Sequence, residues 1–184
     1  MTLISKSQEI YIFSKVLNNC IKVVSAGLNQ PYSIEFIKPH METILSTYVI
    51  PLMLLTEKDV EDFETDPIEF VRKSNDSTAS FYSSKSAVID FIGPAIRFKS
   101  NPKDEQALPD YLEFFFNYCI NNLAEYMKQE NPDYRIKDAL LLAISEMAIT
   151  LQKNPQFHAN IEEMLKECVF SDFSGNNEFL RYRA

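Results

Sequence analysis

The sequence has 184 residues, with 26 acidic residues against 18 Lys and Arg, a formal net charge of −8 and only three glycines. This length suits one sizeable domain with a single core, and scarce glycine disfavours β-proteins and nucleotide-binding α/β folds, whose turns and phosphate loops need it. The acidic balance disfavours direct nucleic-acid binding and favours basic partners, and no apolar run is long enough for membrane insertion. We expect a soluble intracellular protein.

Hydrophobic periodicity predicts helices from the first residues onward. Over residues 5–28 the apolar side chains recur at steps of three and four, which places them on one helical stripe. A short turn is predicted at 34–37. Pro39 then suits the first turn of a second helix, which runs to about Leu55 and is expected to kink at Pro51.

An acidic segment, EKDVEDFETDPIEFVR at 57–72, follows the second helix. It carries seven acids against two bases, and these acids are the candidate protein-interaction residues: Glu57, Asp59, Glu61, Asp62, Glu64, Asp66 and Glu69. Thr56 with Asp59, and Asp66 before proline, predict N-caps of two short helices at about 57–64 and 67–73. A polar loop is predicted over 74–80, and the apolar residues among the acids argue against a disordered tail.

Further helices are predicted in antiparallel order through the rest of the chain, at 81–99 (bent at Gly93-Pro94), 104–129, 135–153, 156–170 and from Asn176 or Asn177 to Ala184. Two long helices with their turns recur about every 40–50 residues, which is typical of HEAT-type solenoids and favours them over a helical bundle. The predicted fold is an all-α, HEAT-type superhelix of about three helix pairs. Its units are 5–55, the acidic insertion and loop 56–80, 81–129, 135–170, and a truncated repeat at 176–184.

The residue types that usually carry chemistry form no recognisable pattern. The three cysteines, Cys20, Cys119 and Cys168, are far apart and have apolar neighbours, so we expect buried free thiols. His40 and His158 lack metal-ligand spacing to each other or to a cysteine. We therefore predict no catalytic residue, no cofactor and no metal. A Ser–His–Asp or Cys–His arrangement that forms only in the folded chain is not excluded by the sequence, but no local signature supports one.

Several stretches together resemble the importin-β superfamily of nuclear transport receptors, closest to importins seven and eight and their fungal relatives. The family's LKPH…VIFPLM and E-D-P-x-E-Y-I-R stretches correspond to Ile37–His40, Val49–Met53 and Thr65–Arg72. Its R-K-K-D-G-A-L-H and F-P-L-F-S-S…Y-M-R-A-R-A stretches correspond to Arg135–Leu142 and Phe170–Ala184. The order and approximate spacing agree over 37–184, except that 74–123 matches only in its helical pattern.

The resemblance implies a central HEAT-repeat section of a nuclear transport receptor that binds protein cargo under Ran-GTP regulation, with no enzymatic activity. The implied partners are a Ran-type GTPase in its GTP form, basic protein cargo and FG-repeat nucleoporins. The implied location is shuttling between nucleus and cytoplasm, through the nuclear envelope. The alternatives are a cytosolic helical-repeat interaction scaffold unrelated to transport and, more remotely, an acidic metallohydrolase. A solenoid section also exposes apolar ends, so we expect self-association or marginal stability.

Three readings of the acidic segment stay open: a metal site, a solvated connector, or an electrostatic contact for basic cargo or a Ran-type GTPase. Arg72 is expected to pair with Glu69, Asp66 or a neighbouring repeat. In the aromatic helix 104–129 we expect mostly core residues, with Phe114 and Phe116 off the main stripe, so that part of the surface is aromatic. FG-repeat nucleoporins insert Phe between adjacent outer helices in the importin family, so the resemblance leaves a second binding site here as the alternative.

Overall fold

The computed structural model describes residues 14–74, 83–104 and 106–183, and all regular structure within these ranges is helical. The helices are α1 (Ser14–Gly27), α2 (Pro31–Ile37), α3 (Met41–Thr43, Ile44–Val49 and Ile50–Met53 in succession), α4 (Glu57–Thr65), α5 (Pro67–Ser74), α6 (Ser84–Arg97), α7 (Leu112–Met127), α8 (Tyr134–Gln152), α9 (His158–Met164) and α10 (Glu178–Arg183). This confirms the all-α, HEAT-type fold class. The predicted helical residues 5–13 and most of the loop 74–80 lie outside the described residues.

The main core lies between layers of helices. Helix α6 packs against α1 on one side and α8 on the other, while α7 packs on α8 and on the middle of α3. The largest fully buried side chains include Phe91 of α6, Phe115 of α7 and Leu140 of α8. Each of these helices therefore presents one apolar face to this shared core, as its periodicity predicts.

Residues 34–37 are helical, which corrects the predicted turn at this position. Pro31 occupies the first turn of α2, where its missing N–H leaves no bond unmade, and the helix runs on to Ile37. Gly27 allows α2 to fold back against α1, because a Cβ at Gly27 would lie 2.6 Å from Cδ1 of Ile37. Since Cδ1 is the end of a flexible side chain, an added Cβ would require Ile37 to shift, and Gly27 has no positive φ that would favour glycine.

Helix α3 takes a wide π-helical turn, Ile44–Val49, immediately before Pro51. In such a turn the carbonyl of Ser46 would accept from the N–H of residue 51, which proline lacks. The hydroxyl of Tyr118 in α7 donates to this carbonyl at 2.6 Å. Pro51, which is predicted to kink the helix, therefore leaves the Ser46 carbonyl without a helical donor, and the hydrogen bond from Tyr118 to this carbonyl joins α3 to α7.

Helix α7 begins at Leu112, eight residues later than predicted. The carboxylate of Asp104 accepts the backbone N–H groups of Gln106 and Ala107, which turns the chain before a helix can start. Asp110 in turn accepts from the backbone N–H of Ser100 at 3.0 Å. Local side-chain bonds of this kind compete with helical ones, and the apolar periodicity does not register them.

Side-chain caps begin two of the remaining helices, and only the cap at Asn177 was predicted. Asp133 accepts from the N–H of Arg135 at the start of α8, and Asn177 accepts from the N–H of Leu180 at the start of α10. The predicted helix 156–170 is subdivided into a 3-10 turn (Pro155–Phe157), α9 and a π-helical turn (Leu165–Val169), followed by a second 3-10 turn (Phe170–Ser174). These turns bring α10 back towards the acidic segment.

Candidate interaction surface

The acidic segment forms the two predicted helices, α4 and α5. Thr56 and Asp59 make a reciprocal capping box: the Asp59 N–H donates to the Thr56 hydroxyl at 3.2 Å, and the Thr56 N–H donates to the Asp59 carboxylate at 2.8 Å. Asp66 accepts from the N–H of Glu69 at 3.0 Å and so caps α5. Two of the seven predicted acids therefore hold helix ends.

Glu69 is engaged as well, because it receives two bonds from the guanidinium of Arg72, both at 2.7 Å. These bonds, together with the positive charges of Arg72 and Lys73, hold the pKa of Glu69 below its usual value. Arg72 thus pairs within its own helix, which was one of the partners predicted for it. The Arg72 side chain is 69% exposed and the Glu69 side chain 36%, so water screens the pair and it adds little to stability.

The other four predicted acids make no cap or ion pair among the described residues: Glu57, Glu61, Asp62 and Glu64. Three of them, Glu57, Glu61 and Glu64, are exposed and lie one turn apart at i, i+4 and i+7. That spacing places their carboxylates in a row on the outer face of α4. We call this row the acidic face.

An aromatic cluster anchors the acidic segment on its inner side. Phe63 of α4 lies 4.8 Å from Phe179 of α10 and 5.6 Å from Phe70 of α5, between ring centroids and in edge-on geometry. Phe63 is 8% exposed and Phe179 is 3% exposed. Together with Leu55 these two form a small core separate from the main one, with Val60, Phe70 and Tyr134 around it. Helix α10 therefore supports the acidic face from behind.

Two ion pairs, which the sequence did not predict, hold α10 and the turn before it against α8. The Lys137 ammonium contacts the Asp172 carboxylate at 2.7 Å, with side chains only 4% and 11% exposed. The Arg183 guanidinium pairs with Asp138, which is fully buried. Both pairs join residues far apart in the chain, which is why local patterns did not reveal them.

The family model for Cse1 matches residues 3–171, which is most of the chain. The chain belongs to the Cse1 family, which is an importin-β family. The match confirms the predicted resemblance, and it includes the whole acidic segment and helix α8. No solved structure matches the chain.

Three curated relatives of this Cse1-family chain are importins by name. An importin β-like SAD2 homolog of Arabidopsis thaliana is 28% identical over 95% of this chain and 16% of its own length. A probable importin-7 homolog of Dictyostelium discoideum is 27% identical over 83% of the chain and 14% of its own. Importin-8 of Danio rerio is 27% identical over 96% of this chain and 16% of its own length. The chain thus spans about a sixth of the length of these relatives.

The family stretches quoted from the sequence coincide with the supports of α10. The stretch resembling R-K-K-D-G-A-L-H supplies Lys137 and Asp138, and the stretch resembling F-P-L-F-S-S…Y-M-R-A-R-A supplies Asp172, Phe179 and Arg183. The resemblance was therefore the signal that could have identified these residues. It could not say which residue pairs with which.

Two of the three thiols, Cys119 and Cys168, are in environments that suppress reactivity. Cys119 and Cys168 are buried and Cys20 is half-buried, and all three are free. Burial raises the pKa of Cys119 to about 12 and also raises the pKa of Cys168. A thiol in this state carries almost no thiolate at neutral pH, and the thiolate is the reactive form.

A metal site would need several ligands close together. Within the described ranges no three His, Cys, Asp or Glu side chains converge in such a way. Among the described helices, none combines the length and apolar character that crossing a bilayer requires.

The aromatic helix α7 differs from its prediction at Phe116. This ring is fully buried against Phe157, with 5.3 Å between centroids, so it belongs to the core and not to an aromatic surface. Phe114 and Tyr118 are half-buried. The predicted apolar stripe is too narrow, because α7 packs against α3 and α8 and its Phe116 also contacts Phe157 in the turn that opens α9. Helix α7 therefore offers less aromatic surface than expected.

Proposed function

We propose that this chain is a section of a nuclear transport receptor, which binds protein cargo and helps to carry it through the nuclear pore under the control of a GTP-bound Ran-type GTPase. The observation that carries the proposal is the family match over residues 3–171, joined by relatives whose names are importins. The receptor would shuttle between nucleus and cytoplasm and contact FG-repeat nucleoporins at the nuclear envelope. Its role would be binding, without chemistry.

Affinity capture tests the transport role. The protein is tagged in its own cells, and the lysate is divided and loaded with either a non-hydrolysable GTP analogue or GDP. We expect a Ran-type GTPase to be recovered with the GTP analogue, and basic cargo proteins to be recovered with GDP. Equal recovery under both conditions, or recovery of neither class, would favour an interaction scaffold unrelated to transport.

We also propose that the acidic segment is a contact for basic cargo, and that the acidic face performs this role. Support comes from how the fold uses the seven acids. Asp59, Asp66 and Glu69 are engaged in caps or an ion pair, whereas the acidic face makes no ion pair in the described part of the chain. Carboxylates that the fold does not use are available to a partner.

The physical mechanism is electrostatic attraction followed by weak local contacts. Three exposed carboxylates on one helix face create a negative potential that speeds encounter with a basic segment. Because these charges are exposed, salt screens them within about 8–10 Å, so binding should weaken as ionic strength rises. Weak contacts of this kind also dissociate quickly, which suits a receptor that must release its cargo.

Charge reversal tests this contact. The triple variant Glu57→Lys, Glu61→Lys and Glu64→Lys leaves the capping box intact and should abolish the salt-sensitive binding of a basic peptide. A matched control reverses three exposed acids elsewhere, Glu130, Glu163 and Glu167. Fluorescence anisotropy at low and high salt measures the affinity of each variant for the basic peptide. Equal loss in the two variants would mean that only net charge matters, and no loss in either would overturn the contact.

A further inference from the structure

A cleft lies beside the acidic face, between the junction of α4 with α5 and the start of α10. It encloses a cavity of about 330 Å³. Its apolar wall comes from Val60, Phe63, Tyr134 and Phe179, which belong to the small aromatic core. Because four separate helices contribute, the cleft exists only while α10 is docked.

The charged groups that line this cleft are both carboxylates. Glu64 reaches it from the last turn of α4, and Glu178 from the first turn of α10. Glu64 makes no ion pair with any described residue, and Glu178 has one contact of 3.3 Å with Arg181. Arg181 is itself held by the Gly175 carbonyl at 2.7 Å. No Lys or Arg is among the residues that line the cleft.

The helix ends near the cleft do not offset these two charges. Helices α5, α8 and α10 begin nearby, and a helix start carries a partial positive charge. Each start is already capped by its own side chain, namely Asp66, Asp133 and Asn177. Two of these caps are carboxylates, and only Asp133 is paired with a base, Arg135. An anion in the cleft would therefore face carboxylates, whereas a cation is favoured.

We propose that this cleft holds an arginine side chain from a basic protein segment, a proposal that rests on the basic-cargo contact above. A guanidinium suits the site better than an ammonium. Its plane stacks on an aromatic ring, here that of the half-buried Tyr134, and its forked N–H groups reach two acceptors at once, here Glu64 and Glu178. The cleft thus anchors one residue of the ligand, while the acidic face attracts the rest.

Two double variants of equal charge separate the anchor from general attraction. Glu64→Gln with Glu178→Gln removes both cleft carboxylates, of which Glu64 is shared with the acidic face, and Glu57→Gln with Glu61→Gln removes the two acidic-face carboxylates that do not line the cleft. The probes are a fluorescein-labelled peptide of alternating glycine and arginine and its lysine counterpart. We expect the cleft variant to weaken arginine-peptide binding about tenfold and the face variant about twofold, since exposed charges contribute little singly. The wild-type chain should prefer arginine to lysine several-fold, and the cleft variant should not.

The outcomes distinguish this proposal from the broader one. Equal weakening by both double variants, with no arginine preference, would overturn the cleft and leave the basic-cargo contact standing. No weakening by either would overturn both. Circular dichroism serves as the folding control, and each variant should keep the helical content of the parent because all four replaced side chains are exposed. A variant Tyr134→Leu then isolates the stacking contribution, and an unchanged arginine preference in it would also count against the cleft.

Discussion

The main helical core and the small aromatic core hold their parts of the molecule in different ways. The main core draws fully buried side chains from α3, α6, α7 and α8, so no single contact determines it. The small core has three buried residues, Leu55, Phe63 and Phe179, which join α10 to the acidic segment. The main core therefore acts as the scaffold of the molecule, whereas the small core attaches only α10 to the acidic segment. The acidic face therefore depends on α10 far more than on the scaffold.

The largest effect is expected in the main core. Phe116→Ala removes a fully buried ring that contacts Phe157, and should lower the free energy of unfolding by about 4 kcal/mol. Urea titration followed by circular dichroism measures it. The matched control is Phe170→Ala, a phenylalanine that is 55% exposed. Similar midpoints for both variants would mean that Phe116 is not a core residue.

The next largest effect is at the buried pair that joins α8 to the turn before α10. Lys137→Met leaves Asp172 buried without its cation, which should lower the free energy of unfolding by about 3 kcal/mol. The double variant Lys137→Met with Asp172→Leu should recover most of this loss, because it leaves no unpaired charge. If the double variant is as unstable as the single one, Lys137 stabilises through packing and not through the pair.

The contact between α10 and the acidic segment is tested by Phe179→Ala. Loss of this ring should loosen α4 and α5 from α10 while the scaffold stays folded, because the rings that Phe179 contacts, such as Phe63 and Phe70, lie outside the main core. Hydrogen exchange should rise in 57–74 and stay unchanged in 84–97. The control is Tyr182→Ala, whose ring is 41% exposed at the edge of the same cluster. A uniform rise across both regions would show that the two cores form one cooperative unit.

A smaller effect is expected from the cap of α4. Thr56→Ala removes the hydroxyl that accepts from Asp59, and should cost about 1 kcal/mol, confined to α4. Thr56→Ser keeps the acceptor and should be near neutral. Hydrogen exchange of the first turn of α4 distinguishes the two, and equal exchange would argue that the capping box contributes nothing.

The smallest effect on stability is expected from exposed apolar side chains, which we predict to mediate self-association of the chain. Tyr32 and Phe36 of α2 are 89% and 79% exposed, and Ile149 of α8 and Phe173 are 70% and 59% exposed. Self-association through these faces remains a prediction. Ile149→Glu with Phe173→Glu should shift sedimentation towards monomer without changing the melting temperature. Ile68→Glu, at an isoleucine of α5 that is 83% exposed, should not shift the sedimentation. A wild-type monomer at all concentrations would contradict the prediction.

Local rules predicted much of the fold from the sequence, because the signals involved act within a few residues. The capping box at Thr56 and the caps at Asp66 and Asn177 are of this kind, and so is the apolar periodicity of the long helices. The late start of α7 was missed because Asp104 turns the chain through its own side chain, which periodicity does not record.

Contacts between distant parts of the chain could not be predicted. Ser46 accepts from Tyr118 because Pro51 lacks an N–H, and that partnership exists only once α3 and α7 are packed. The pairing of Lys137 with Asp172 and the meeting of Phe63 with Phe179 depend on the turn that returns α10. For the acidic segment, composition identified the seven acids, but only the structure separates the three that cap a helix or pair with Arg72 from the four that do neither among the described residues.

The central claim is that the acidic segment, supported by α10, is where a basic partner binds. Hydrogen exchange of the wild-type chain with and without the arginine peptide tests it most directly. We predict protection confined to 57–67 and 176–179, which border the acidic face and the cleft, with no change in α6 or α7. Protection elsewhere in the described chain, or none at all while the peptide is bound, would contradict the claim.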